Sequence, residues 1–225
     1  MKLVLKNTKL VFVGTPAPTE KEYMKNISAS NTNGIAVPNV NFFDGYSYET
    51  SFVQEGGVCN NVVGILAYGD NPCRFGIRSI TNTGGDSAMT VRYGVTENGD
   101  ARDTGRITPF VAGSPTKDIT VKALKMSAVC NINGEAVTKQ YSFENDEPIY
   151  GTMTLRFMAF IATGEDGSGV DFAHFRYFKI FDNNNELINH FVPAIDYQGR
   201  PCLYDKVNDV CYYADNDSYI SCYNS

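Results

Sequence analysis

The sequence predicts an all-β protein: an antiparallel β-sandwich preceded by a short N-terminal arm and carrying one short helix. Three observations point there. Apolar residues recur with period two from residue 33 onward, the pattern of half-buried strands. Turn chemistry interrupts that pattern mostly every 10–20 residues, at Gly56-Gly57, Asp70-Asn71-Pro72, Gly84-Gly85, Asn98-Gly99, Asn133-Gly134, 164–169 and 182–185. The composition, with 14 Tyr, 14 Phe, 20 Gly and no Trp in 225 residues, favours strands and turns over helices. No repeat and no second compositional block is present, so the reading is one sandwich domain over 29–225 with an arm over 1–28. Such a length buries most of its unfolded surface without covalent staples.

The arm begins with a strand over 2–13, on which Leu3, Leu5, Leu10 and Phe12 are apolar. Pro16 and Pro18 end it. Thr19 with Glu22 three residues on makes a capping box and predicts a helix over 20–26, packed down by Tyr23, Met24 and Ile27. Three later runs are strands with one dry and one wet face: Tyr46, Tyr48, Thr50 and Phe52; Met89, Val91, Tyr93 and Val95; Met153, Leu155, Phe157 and Ala159. Within 119–130 the apolar face slips from Ile119, Val121 and Ala123 to Leu124, Met126 and Ala128, which predicts a β-bulge near 122–125.

The closing third is the most aromatic. DFAHFRYFKIF, residues 171–181, is apolar on both faces and reads as a central strand covered on both sides. Asp182-Asn183-Asn184-Asn185 turns the chain, residues 187–192 return beside it, and Pro193, which has no N–H to give a ladder, ends the return. Gln198-Gly199-Arg200-Pro201 is a second turn, and 202–205 pairs with 210–213 around 206–209. The tail ADNDSYISCYNS reads as partly disordered.

FRYFKIFDNNNELINHFVPAIDYQGRPCLYDKVNDVCYY, from Phe175 to Tyr213, resembles the closing segment of concanavalin A-like, laminin-G-like jelly-roll domains. The segment DITVKALKMSAVCNINGEAV, with its Asn133-Gly134 turn, is similar to their central hairpin. The resemblance spans roughly residues 35–215 and departs from the family in its extra cysteines and its Asp-rich tail. It implies a jelly roll of the kind found in tail, fibre and head-decoration proteins of tailed phages and in surface proteins of gut bacteria. Such sandwiches host many functions, so the site needs its own argument.

The chemistry is mostly exclusion. A net charge of -6 without clustered Lys or Arg argues against nucleic acid. Lys2, Lys6 and Lys9 interrupt any signal-like apolar core, and no apolar run nears the roughly 20 residues of a membrane span. The six cysteines form no CxxC pair, and His174 and His190 stand apart from them, which speaks against zinc. Cys73, with Phe75 and Ile77, reads as a small buried hydrophobe. Cys202 and Cys211 face each other across a hairpin, with reduced thiols the favoured state in the absence of an export signal. For glycoside hydrolysis, Glu144, Asp146 and Glu147 come closest to paired carboxylates but read as a solvated turn. No GxSxG occurs, and His174 reads as a packed or edge histidine. Glu165, Asp166 and Asp171 offer too few oxygens for a calcium loop and read as a flexible turn. Tyr46, Tyr48, Tyr197, Tyr212 and Tyr213 are the available sugar platforms, and packing is the first role of each. No catalytic, cofactor, metal or ligand residue is assigned.

The expectation is a non-enzymatic structural component of a phage virion, made in the host cytoplasm. It has no cofactor and does not enter membranes. Residues 1–28 dock onto other virion proteins, the particle form is a homo-oligomer (a trimer by symmetry), and the sandwich contacts host glycans. The alternative is a carbohydrate-binding module of a bacterial surface or secreted protein.

Overall fold

The computed structural model describes residues 2–6, 9–13, 16–27, 34–54, 63–64, 68–69, 76–81, 86–95, 101–105, 107–111, 117–141, 151–157 and 173–225. The protein is all-β. Its strands are β1 (Lys2–Lys6), β2 (Lys9–Val13), β3 (Thr19–Glu20), β4 (Tyr23–Asn26), β5 (Ile35–Asn41), β6 (Ser47–Gln54), β7 (Val63–Gly64), β8 (Tyr68–Gly69), β9 (Gly76–Thr81), β10 (Asp86–Val95) and β11 (Ala101–Asp103). They continue with β12 (Ile107–Val111), β13 (Lys117–Ala123), β14 (Ser127–Ile132), β15 (Glu135–Gln140), β16 (Thr152–Phe157), β17 (Ala173–Phe181), β18 (Leu187–Ile195), β19 (Pro201–Asp205), β20 (Val210–Tyr212) and β21 (Ile220–Tyr223). A single 3-10 turn, Asp217–Tyr219, interrupts the tail.

All pairings are antiparallel. The large sheet runs β15-β14-β13-β6-β17-β18-β19-β20 and is joined by β3, β4 and β21. A five-stranded sheet holds β11-β10-β9-β7 with β12 on β10, a three-stranded one holds β5-β16-β8, and β1 pairs with β2 alone among the described residues. Aromatic contacts show how these layers meet. Phe157 of β16 lies 5.7, 5.5 and 5.1 Å from the rings of Phe175, Phe178 and Phe191 of the large sheet. Tyr48 of β6 stacks on Phe178 at 5.2 Å, and its hydroxyl donates to the carbonyls of Gly76 (3.2 Å) and Arg92 (2.9 Å) in the five-stranded sheet. The two smaller sheets therefore cover one face of the large one. Each such ring pair adds about 1 kcal/mol beyond its buried area.

The central strand is where the sequence places it, with β17 between β6 and β18, but it is not covered on both sides: Phe175, Phe178 and Ile180 are fully buried, while Tyr177, Lys179 and Phe181 on its other face are only half-buried. Six further expectations change. The helix over 20–26 is two strands. β17 and β18 pair at Phe178↔Phe191 and then diverge; β3 fills the gap against Ala194 and Ile195, and β4 against Phe175. As a strand, the segment gains ladder partners on two elements and buries Met24 completely, which outweighs the local capping box. Glu22 instead binds Ser225, through its backbone N–H (3.3 Å) and hydroxyl (2.8 Å). The part of the arm beyond Pro18 is thus built into the large sheet.

The tail is ordered as well. Asn216 caps the 3-10 turn by accepting from the Ser218 N–H, and β21 pairs with β4 along its whole length. The apolar slip within 119–130 is a tight hairpin, not a bulge. β13 ends at Ala123 and β14 starts at Ser127, with the Leu124 N–H donating to the Ser127 carbonyl at 2.8 Å. Leu124 and Met126 are the exposed corners of that turn. The strand over 2–13 is the hairpin β1–β2, registered Leu3↔Phe12 and Leu5↔Leu10.

Pro193 does not end its strand; it sits inside β18 opposite Leu203. In a strand the N and O of one residue point the same way, and the Pro193 carbonyl accepts from Lys21 N–H (2.8 Å). Its missing donor therefore faces two-residue β3, where no full ladder is lost. Finally, β10 has no wet face at Thr90 and Arg92, both buried. Its ladder partners are β9 on one edge and β11 and β12 on the other.

Candidate functional site

The closing strands are joined by three turns built the same way. Each opens on an aspartate whose Oδ1 accepts the N–H two residues on: Asp182 from Asn184 (2.8 Å), Asp196 from Gln198 (2.8 Å) and Asp205 from Val207 (3.1 Å). Each also holds one left-handed residue of a type that tolerates it, Asn185 (φ 62°), Gly199 (φ 84°) and Asp209 (φ 55°). The first and third of these turns lie at one end of the antiparallel strands and the second at the other, and a groove opens on either side of the β19–β20 hairpin.

The first groove, about 570 Å³, lies between β5 and the turns around β18 and β20. That size falls within the range of small-ligand sites. Pro38 and Asn39 form a β-bulge: β16 pairs Met153 with Val40 and Leu155 with Val37, so two residues of β5 stand against Thr154. Asn39 is left-handed there (φ 59°), and the bulge turns it into the groove wall. Asn189 and Asn208 line the other side. Their Nδ2 groups donate to Asp205 Oδ2 at 2.7 Å each, and Asn208 Nδ2 also donates to the Ile188 carbonyl at 3.2 Å. Asp205 is fully buried; its Oδ1 accepts from the His190 and Val207 N–H groups. With both oxygens on donors, it fixes the two amides, whose side-chain carbonyls have no partner among the described residues.

Tyr46 and Tyr212 complete the wall, half-buried, with hydroxyls bonded to no described residue. Burial, and then the charge of Asp205, push the Tyr212 phenol up, so it stays a protonated donor. None of the described residues lining this groove carries a charge. The surface is therefore neutral amide, hydroxyl and aromatic ring, the set that recognises neutral polyhydroxylated ligands.

The second groove, about 350 Å³, is lined by Tyr197, Tyr204, Tyr213, Cys211, Asp196 and Asp209 against the Pro16-Ala17-Pro18 segment. Its polar groups are committed to one another. Asp196 accepts from the N–H groups of Gln198 and Arg200, from Arg200 Nε (3.0 Å) and from the Tyr213 hydroxyl (3.0 Å). Arg200 also stacks over the Tyr213 ring at 4.3 Å, and Tyr204 donates to Asp209 at 2.8 Å.

The other sequence candidates scatter. Tyr48 is core. His174 packs edge-on against Tyr23 and Tyr223 and its Nδ1 meets the Tyr223 hydroxyl, so it belongs to the clamp holding β21. Arg176 extends that clamp, bonding Asp118 through both carboxylate oxygens and the Tyr23 hydroxyl. Burial and nearby Lys179 and Lys206 lower the His190 pKa. Cys73, the Glu144, Asp146 and Glu147 set, and the Glu165, Asp166 and Asp171 set lie outside the described residues. Among the described residues, no group of three or more His, Cys, Asp or Glu is placed to hold a metal ion.

Of the five tyrosines, then, the fold brings Tyr46 and Tyr212 together in the open groove and places Tyr197 and Tyr213 in the committed one. Sequence reasoning missed Asn39, Asn189, Asn208 and Asp205. A Pro-Asn pair inside a strand pattern was the available signal for the first. No family model matches the chain, and no curated protein is found to be similar to it.

Proposed function

We propose that the protein is a non-enzymatic structural component of a phage particle, a concanavalin A-like jelly roll that contacts neutral host glycans through the amide-lined groove. The observation carrying the ligand class is the wall of uncharged donors and acceptors, Asn39, Asn189, Asn208, Tyr46 and Tyr212, set by the buried carboxylate of Asp205. The virion context rests on the resemblance of residues 175–213. An arm that docks and oligomerises is supported by β1 and β2, which pair only with each other among the described residues. A two-stranded ribbon is marginal alone and gains most from a partner. Weak single-site binding multiplied by a homo-oligomer suits surface attachment.

The test is a screen of the full chain against neutral and charged oligosaccharides, with light scattering on the full chain and on a version lacking residues 1–15. The deletion stops there because β3 and β4 belong to the large sheet. Binding to neutral glycans that falls about tenfold in Asn39→Gly supports the ligand reading; that variant keeps the left-handed backbone and removes only the amide. An oligomer that becomes a folded monomer without the arm supports the virion reading. Binding confined to charged glycans overturns the first, and a monomer in both forms overturns the second. A monomer that still binds neutral glycans favours the carbohydrate-binding module.

A further inference from the structure

The second groove reaches a pair of thiols. Cys211 of β20 stands opposite Tyr204, so Cys202, two residues before Tyr204, shares its face of the hairpin. The two sulfurs are 3.3 Å apart. Cys202 is fully buried, whereas Cys211 is half-buried and lines the groove. A disulfide requires a sulfur separation near 2.05 Å, so closure asks for a shift of roughly 1 Å, within reach of a hairpin whose second strand is three residues long. Cys130 is buried in β14, and the Cys222 sulfur lies 3.9 Å from the Cys202 carbonyl oxygen.

We propose that Cys202 and Cys211 form a modification site: a dithiol that a small disulfide oxidant, such as oxidised glutathione, converts to an intramolecular disulfide across β19–β20. The Cys211 thiolate attacks one sulfur of the oxidant through the groove and releases one glutathione thiol, leaving a mixed disulfide. The Cys202 thiolate then attacks the Cys211 sulfur and releases the second glutathione. Two thiols are oxidised, one external disulfide is reduced, and both protons leave with the departing thiols. The product latches the hairpin that carries Asn208 and Tyr212, so the bond forms when the protein passes from a reducing to an oxidising medium.

The test exposes the folded full chain to oxidised glutathione, alkylates the remaining thiols and maps the peptides. Chymotryptic cleavage after Tyr212 or Tyr213 separates Cys211 from Cys222. The expected result is a Cys202–Cys211 linked peptide that persists in Cys222→Ser, with a melting temperature about 5 °C above that of the reduced chain. Glutathione retained on Cys211, a link from Cys202 to Cys222, or full retention of both thiols overturns the proposal. The linked peptide is read on the unaltered protein, so a variant that fails to fold does not obscure the outcome.

Discussion

Two aspartates nine residues apart, Asp196 and Asp205, open successive turns with the same backbone motif and yet build opposite surfaces. Asp196 spends its second oxygen on Arg200 and Tyr213, residues of its own corner, and the groove beside it is hydrogen-bonded to itself. Asp205 spends its second oxygen on Asn189 and Asn208, whose side-chain carbonyls have no partner among the described residues. A carboxylate paired with an arginine closes a surface; one satisfied by amides leaves those amides presentable. Hydrogen-bond saturation, more than cavity size, separates a brace from a binding wall here.

Asp205→Ala breaks that comparison hardest. It leaves two backbone N–H groups and two amides without an acceptor inside the sheet corner, and we expect a loss of about 4 kcal/mol in urea unfolding together with lost glycan binding. Asp196→Ala costs about 2 kcal/mol, because the released Arg200 is partly exposed and recovers water.

That second site also carries a pH signature. Burial alone would raise the Asp196 pKa, but hydrogen bonds from the Arg200 amide, the Tyr213 hydroxyl, the Arg200 guanidinium and the Gln198 amide outweigh it and hold the carboxyl below its ordinary value. A depressed folded pKa contributes stability that is complete above the unfolded value of about 3.9 and is lost as pH falls through the folded value. The melting-temperature advantage of the native chain over Asp196→Asn should therefore be flat near neutrality and shrink below about pH 4. An advantage that grows on acidification would contradict the assignment.

Arg200→Lys sharpens the same side. It removes a planar group that both pairs with Asp196 and stacks on Tyr213, and should lower the melting temperature by less than Asp196→Ala does. The smallest stability effects belong to the open groove. Asn39→Gly and Tyr212→Phe should each stay within about 0.5 kcal/mol of the native chain, since neither the amide nor the hydroxyl has a partner among the described residues. The same variants should lower neutral-glycan affinity severalfold by calorimetry. A large stability loss with unchanged binding would turn the open groove into another brace.

Much of the closing third was legible because its signals are local. Turn residues at 182–185, 198–201 and 206–209 act through their own backbones, and the apolar run of 173–181 marks a central strand, though only one of its faces is fully buried. The misreadings share another cause. Thr19 and Glu22 satisfy a local rule for a helix, but a gap between β17 and β18, opened about 150 residues later in the chain, offers that segment two ladders. The tail looked polar enough to fray, but β4 was waiting as its partner. The groove was illegible for the same reason. Asn39, Asn189 and Asn208 are far apart in sequence, and no period or spacing joins them.

The sequence by itself determined that this chain is made of strands, where most of its later turns fall, and which apolar residues of several strands face inward. Alternation and turn chemistry are properties of neighbours along the backbone, so they survive without a fold. Only the tertiary structure decided which strands distant in sequence pair, that residues 19–26 and 220–223 enter the large sheet, and which of five similar tyrosines meet the amides of the open groove. Strand pairing and hydrogen-bond saturation depend on partners supplied from distant positions, and those partners exist only once the sheets have closed.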